Sequence, residues 1–471
     1  MKKIFIKKNI PLFVLLLLII GISLSFLEES TGRSISLAIL VSILPLVCLF
    51  TQNLFFSFLT FLLFALPFNI TYQLPFSFEK SLVDGISVNY LIPTLSILDF
   101  GLGIFFVMVI TKNLQILKEV FLKYRYSLSI FILFLLIQNV ILHNSLVILN
   151  SLRFLLYILT FLILLHLWKT EKKKVNYKFT SIILLLSVLF QGIVGLLQFL
   201  KGSSLGLNFL GESKMAAGLV GSSFVGLGEE VFLRASGTFP HPNILAGFLF
   251  LAMLFAAFLT KKLQKNQKFI TYLTIFLSSI FVIFTFSRIV IFLFVLIFLV
   301  LFISKLLLKK KHLSFSLPLI FERFLNVFSK EDYSWVDRVN LTKASFTVIK
   351  QNWLLGTGLG NYVKHMEDFW PTTTRSLPLL QPVHNIFLLL LSELGIFVIL
   401  SYLILFIDIF RKNYKKATLF CFLILFSLFI IGMFDHYLVS LPQGQVMFFF
   451  LIFLAIVESE ENLKNNKENV D

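Results

Sequence analysis

The second half of the chain carries arginines, histidines and a few carboxylates at the borders of long apolar runs. Five groups stand out. They are Arg234 with His241 and Asn243 in RASGTFPHPN, Ser287-Arg288, Asp337-Arg338, His384-Asn385 with Glu393 two turns further on, and Asp435-His436. Three arginines and a histidine converging on one membrane face would suit an anionic, lipid-linked substrate. A diphosphate needs planar, permanently charged donors, which arginine supplies better than lysine. A histidine of ordinary pKa, about 6.5, can take a proton from a hydroxyl nucleophile at neutral pH. Asn385 would orient a hydroxyl or sugar beside His384, and Glu393 would add a supporting hydrogen bond from deeper in the helix.

Taken singly, each group has a plainer reading. Arg288 at a tight turn reads as a headgroup anchor. Pro240, Pro242 and Asn243 read as the start of a helix, since proline suits a first turn and asparagine caps it. His241 and the Asp435-His436 pair read as interfacial polarity. The GTGLGN run at 356–361 lacks the strand–helix context of a dinucleotide site. NIT at 69–71 and NLT at 340–342 match a glycosylation sequon, a weak signal. Cys48 and Cys421 lie inside apolar runs, with no metal-ligand spacing and no disulfide framework. The chemical content lies in the set taken together.

The elements that must position this set are membrane spans. Of 471 residues, 58% are hydrophobic, 14% are charged and 59 are phenylalanine; the mean hydropathy is +0.93. A soluble chain of this length needs far more polar surface. Apolar runs fall at 10–27, 34–50, 53–67, 91–111, 127–143, 150–167, 179–200, 241–260, 270–286, 288–304, 385–407, 417–434 and 444–457. The expectation is an all-α polytopic transmembrane helix bundle of about 12–14 spans, forming one domain over 1–471. The net charge of +17 is spread in short clusters between apolar runs, which is topology and not a nucleic-acid-binding stripe.

Lysine clusters at 2–8, 112–125, 169–178, 261–268, 305–311, 411–416 and 464–467 mark the cytoplasmic side. The N-terminus is then inside, and its basic, apolar start reads as an uncleaved first span. Parity requires one more crossing, for which 313–328, short and bearing Glu322 and Arg323, is the candidate. Extracytoplasmic loops are expected at 68–90, 201–240 and 329–384, the last large and partly helical, with a cytoplasmic tail at 458–471. All five chemical groups then share the outer side.

In order, RASGTFPHPNILA (234–246), TFSR (285–288), WVDR (335–338), NWLLGTGLGNY (352–362), VHNIFLLLLSELG (383–395) and FDHY (434–437) resemble the O-antigen ligase/polymerase superfamily of bacterial membrane glycosyltransferases. The resemblance covers roughly 230–440; the first 200 residues match only as hydrophobic spans. It implies a GT-C-like, metal-independent and cofactor-free transferase of the bacterial cytoplasmic (inner) membrane, working on its extracytoplasmic side. Such enzymes move a glycan from an undecaprenyl-diphosphate carrier to a hydroxyl of a glycan, lipid or protein acceptor, building lipopolysaccharide or other envelope polysaccharide. His384 becomes the expected general base, and Arg234, Arg288 and Arg338 the holders of the diphosphate. His241, Asn243, Asp337, Asn385, Glu393, Asp435 and His436 support them. The family usually has a clear extra span before its large loop, where this chain has the short, charged 313–328. Ligase and polymerase are not separated by these residues. A transporter or lipid flippase is the competing class; it predicts charges at mid-span and repeat symmetry, and neither is evident.

Overall fold

The computed structural model describes residues 31–74, 81–83, 86–217, 219, 221–227, 230–308, 333–369 and 380–468. The expected first span at 10–27 and the irregular crossing at 313–328 lie outside the described residues. Within them the chain is an all-α bundle with three small two-stranded sheets in its loops.

The helices are α1 (Thr31–Thr51), α2 (Leu54–Ala65), α3 (Ile97–Leu142), α4 (Ser145–Glu171), α5 (Tyr177–Lys201), α6 (Pro242–Thr260) and α7 (Lys268–Phe281). They continue with α8 (Arg288–Leu308), α9 (Tyr333–Asn352), α10 (Ile386–Asn413), α11 (Leu419–Phe434), the single turn α12 (Tyr437–Ser440) and α13 (Pro442–Glu468). Among the described residues, seven helices are long and apolar enough to cross a membrane: α3, α4, α5, α6, α7 with its flanking turns, α10 and α13. Shorter apolar helices lie within α1, α2, α8 and α11.

Helix α3 accounts for two expected spans. At about 1.5 Å per residue, a straight helix of 46 residues would be roughly twice as long as a hydrocarbon core is thick. It breaks at Asn113, whose φ of −161° and ψ of 84° are not helical. Asp99 near its start bonds Arg153 in the early turns of α4, and its far end leads directly into α4. Both ends of α3 therefore meet the same end of α4, and the helix is a folded pair. The basic stretch Lys112–Arg125, expected as a connection, is helical through most of that fold.

Helices α6 and α13 form the centre, with 83% and 89% of their most apolar stretch buried, against 33% for α3 and α7. A helix apolar on every face has no preferred wet side and packs in the middle. Aromatic rings interlock edge to face there and beside it: Phe255 and Phe450 at 5.0 Å between ring centroids, and Phe55 of α2 with Trp168 of α4 at 5.5 Å. Helix α13 runs on to Glu468, through the start of the expected tail.

Candidate active site

One end of the bundle brings the expected chemical groups together, and the chain builds it from four segments. The first is the hairpin β5 (Phe224–Leu227) and β6 (Glu230–Leu233), which delivers Arg234. The Arg234 N–H donates to Ser223 O at 3.0 Å, and the Ala235 N–H to Phe284 O at 2.9 Å. This fastens the segment to the turn after α7. The Arg234 Nε donates to Thr285 O at 2.8 Å, and an Nη to Asn243 Oδ1 at 2.8 Å. At that turn Phe286 adopts a left-handed φ of 48°, so α8 starts abruptly with the exposed Arg288 in its first turn.

Helix α6 starts differently from expectation. His241, not Asn243, is the N-cap: its Nδ1 accepts the Asn243 N–H at 3.2 Å, with Pro242 in the first turn. Asn243 is thereby freed to bridge Arg234 to Asp435, donating from Nδ2 to Asp435 Oδ2 at 2.7 Å. His241 Nε2 lies 3.2 Å from Ser223 Oγ. Burial, reinforced by Arg234, His436 and Arg338 against Asp435, pulls the His241 imidazole down to about 4. It is neutral, with Nδ1 accepting and Nε2–H donating, so both nitrogens are engaged.

The third segment is the turn between α11 and α13. Asp435 Oδ1 accepts the His436 N–H at 2.8 Å. Two glycines let this turn approach the core: a Cβ on Gly247 would sit 2.2 Å from the Tyr437 hydroxyl, and one on Gly444 would sit 1.8 Å from Tyr437 O. His436 Nδ1 pairs with Ser440 Oγ at 2.7 Å, and its ring meets those of Tyr90 at 5.6 Å and His384 at 5.0 Å, both edge-on. Burial would raise the Asp435 carboxyl, but His384, His436, His241 and Arg338 outweigh it and hold it below the usual range. Burial with some help from Asp435 pushes the Tyr90 phenol up to about 12.

The fourth segment contains α9 and the start of α10. Arg338, half-buried on α9, bears electrostatically on Asp435, His384, His436 and Arg234. Its neighbour Asp337 has a buried Oδ1 without a hydrogen-bond partner among the described residues, and burial raises that carboxyl. Asn385 is the N-cap of α10, its Oδ1 accepting the Phe387 and Leu388 N–H groups. Its Nδ2 points to Met433 O at 3.4 Å. His384 differs from the other two histidines: its Nδ1 is enclosed and has no hydrogen-bond partner among the described residues. Burial first, then His436, Arg338 and His241, drives it down to about 3 against the pull of Asp435. Burial, with Arg288 and Arg338 and against Asp435, lowers Arg234 to about 10, and it stays charged at neutral pH.

Glu393 belongs to a break in α10 that holds this corner. Gly395 has φ 64° and ψ 177°, which interrupts the helical ladder. The loop 356–360 fills the gap: the Thr357 N–H donates to Ser392 O at 2.9 Å and the Gly358 N–H to Glu393 O at 2.8 Å. The Ile396 N–H bonds back to Trp353 O at 2.8 Å. Gln138 of α3 donates to the carbonyls of Glu393 and Leu355. The Glu393 carboxylate accepts from the backbone N–H groups of Gly360 and Tyr362. Non-helical backbone at this depth is tolerated because protein groups satisfy it. Gly356 is left-handed at φ 68°, and a Cβ there would meet Glu393 O at 2.4 Å.

Residues 245–403 match the O-antigen ligase family model. That match agrees with the resemblance to the O-antigen ligase/polymerase superfamily seen in the sequence. No curated protein matches it. The ligase-family segment holds Arg288, Asp337, Arg338, His384, Asn385 and Glu393; Arg234, His241, Asn243, Asp435 and His436 lie outside it and complete the cluster. The apolar helices together with this match indicate a multi-pass membrane protein with an O-antigen ligase domain.

Sequence reasoning missed two residues that build the site. Gln191 and Gln198, buried on α5, clasp the turn after Arg234. Gln198 Oε1 accepts the Gly237 N–H at 2.9 Å, and Gln191 Oε1 accepts the Thr238 N–H at 2.9 Å. The signal was present: two amides seven apart, on one helix face, inside an apolar run.

Proposed function

We propose that the chain transfers a glycan from an undecaprenyl-diphosphate carrier to an acceptor hydroxyl, on the extracytoplasmic side of the bacterial cytoplasmic membrane. The observation that carries this reading is the unpartnered Nδ1 of His384, set among guanidinium charges that exceed the local carboxylates. His241 and His436 spend their Nδ1 atoms on protein partners, whereas His384 keeps one for a substrate proton.

The acceptor O–H gives its proton to His384 as its oxygen attacks the anomeric carbon of the carrier-linked sugar. The carbon–oxygen bond to the diphosphate breaks, and the carrier diphosphate leaves with the electron pair. Arg234, Arg288 and Arg338 stabilise the charge that builds on it. A diphosphate is already a good leaving group, so one base and fixed cations suffice. Asn243 and Asp435 hold Arg234 in place without cancelling the whole positive field. The side assignment draws on the opposite end of the bundle. There Lys123 and Lys169 meet Asn413, Lys172 and Lys262 meet Glu461, and Lys412 meets Asp408, the pattern of a cytoplasmic face.

The direct test is a membrane assay with carrier-linked glycan. His384→Ala is expected to abolish transfer while the protein stays in the membrane at normal abundance and still binds the carrier diphosphate. Full transfer by that variant would sink the base assignment.

A further inference from the structure

Next to the histidine pair lies a cleft whose open space is about 750 Å³, which the steps above leave unused. Its polar lining includes Asn89, Tyr90, Asn150, Arg153, Glu393 and Gln445.

The charges in this cleft are already answered. Arg153 Nε donates to Asp99 Oδ1 at 2.9 Å and one Nη to Asn150 Oδ1 at 3.0 Å, while the other Nη meets Thr94 O. Glu393 takes the N–H groups of Gly360 and Tyr362. Little free charge remains, and a diphosphate would find no uncompensated cation. Unfilled neutral capacity does remain. Gln445 Oε1 is enclosed with no hydrogen-bond partner among the described residues, its Nε2 being used on Val439 O. Leu359, Val363 and Val439 add apolar surface beside the Tyr90 ring. Neutral amides set among apolar and aromatic faces match a sugar, whose hydroxyls need hydrogen bonds and whose C–H faces need apolar contact.

The cleft also adjoins the reacting centre. Tyr90 and Ser440 line it, and both touch His436, whose ring abuts His384. A single displacement at the anomeric carbon requires the nucleophile opposite the leaving group. The acceptor oxygen must therefore come to the base, apart from the guanidiniums that hold the diphosphate. We propose that this cleft binds the acceptor as an uncharged sugar residue and presents one of its hydroxyls to His384. The proposal rests on the transferase reading above. In it, the acceptor hydroxyl loses its proton to His384 and forms the new glycosidic bond as the bond to the carrier diphosphate breaks.

The test uses the full chain in native membranes, carrier-linked glycan as donor, and octyl glycosides of glucose, galactose and N-acetylglucosamine as acceptor probes, with octyl glucuronide as the anionic control. At least one neutral glycoside is expected to be extended, in preference to the glucuronide. Gln445→Leu should raise its KM about tenfold, the loss of one or two hydrogen bonds, with the donor KM unchanged. Asn89→Ala, at the exposed rim, should raise it a few-fold, so the inference does not depend on one variant folding. An unchanged acceptor KM in both variants, a rise in donor KM instead, or preference for the glucuronide would overturn the assignment. His384→Ala in parallel separates the two ideas. If it still transfers, the base assignment fails whatever the cleft variants do; if it is dead while acceptor KM is unmoved in the others, only the cleft assignment fails.

Discussion

The two ends of this bundle treat positive charge in opposite ways. At the lysine end, four lysines are answered by carboxylates. Lys172 and Lys262 share Glu461, Lys261 takes Glu458, Lys412 takes Asp408 at 2.7 Å, and Lys172 also lies 5.1 Å from the Trp168 ring centre. At the arginine end, the charges of Arg234 and Arg338 bear on the buried carboxylate of Asp435, the neighbouring histidines being uncharged at neutral pH, and Arg288 adds to the field on Arg234. Residual positive potential among buried groups is costly to fold and attractive to an anion. The lysine end behaves as an anchor, whereas the arginine end is electrostatically incomplete without a ligand.

The sharpest way to break that contrast is at His384. Removing a general base costs typically 10²–10⁴-fold in rate, so His384→Ala should lower kcat by at least about a hundredfold, read from glycan transfer in membranes. His241→Gln should cost much less, since an amide oxygen can still accept the Asn243 N–H at the helix cap. Equal losses in the two would mean that the unpartnered nitrogen of His384 has no special part.

Arg234→Lys comes next. The guanidinium spans Thr285 O and Asn243 Oδ1 at once, and a lysine cannot hold both while still facing a phosphate. One lost charge-assisted hydrogen bond is worth about 1.5–3 kcal/mol, so kcat/KM is expected to drop roughly tenfold to a hundredfold. A lysine variant with wild-type kinetics would remove Arg234 from the diphosphate site.

How much of this was legible before the fold was known depends on what each residue's role requires. The bundle was readable because apolar runs must be as long as a bilayer is thick, and the grouping of Arg234, Arg288, Arg338 and His384 followed from lysine topology and motif order. Roles set by a single hydrogen bond were not readable. Asn243 looked like a cap, yet His241 caps and Asn243 bridges; Asn385 caps its helix, a job the sequence reading did not give it. Both side chains can do either job, and only the local backbone chooses. The glycines at 356–360 could be read as a turn, but their fit into the break at Gly395 joins parts of the chain that no local pattern connects.

A smaller effect concerns acidity. With His384 driven down to about 3 by burial and its cationic neighbours, the unprotonated base is present in neutral and mildly acid solution. The acid limb of kcat/KM should therefore lie below about 6.5, where an ordinary histidine titrates. Bound diphosphate adds negative charge and opposes Arg338, which raises His384. The acid limb of kcat should then lie at higher pH than that of kcat/KM. Coincident limbs near 6.5 would indicate a solvated base elsewhere.

The smallest expected effect comes from the lysine end, and it tests the contrast from the other side. Glu461→Gln keeps the shape but leaves Lys172 and Lys262 sharing a neutral amide. These pairs are only partly exposed, so the loss should be about 1 kcal/mol, between an exposed and a fully buried ion pair. Thermal unfolding in detergent should show it as a drop of a few degrees, with kcat and both KM values unchanged. If the two ends were electrostatically equivalent, neutralising a charge at either would cost stability and turnover in the same proportion. A Glu461→Gln protein that unfolds normally but turns over tenfold more slowly would mean that the lysine end takes part in catalysis.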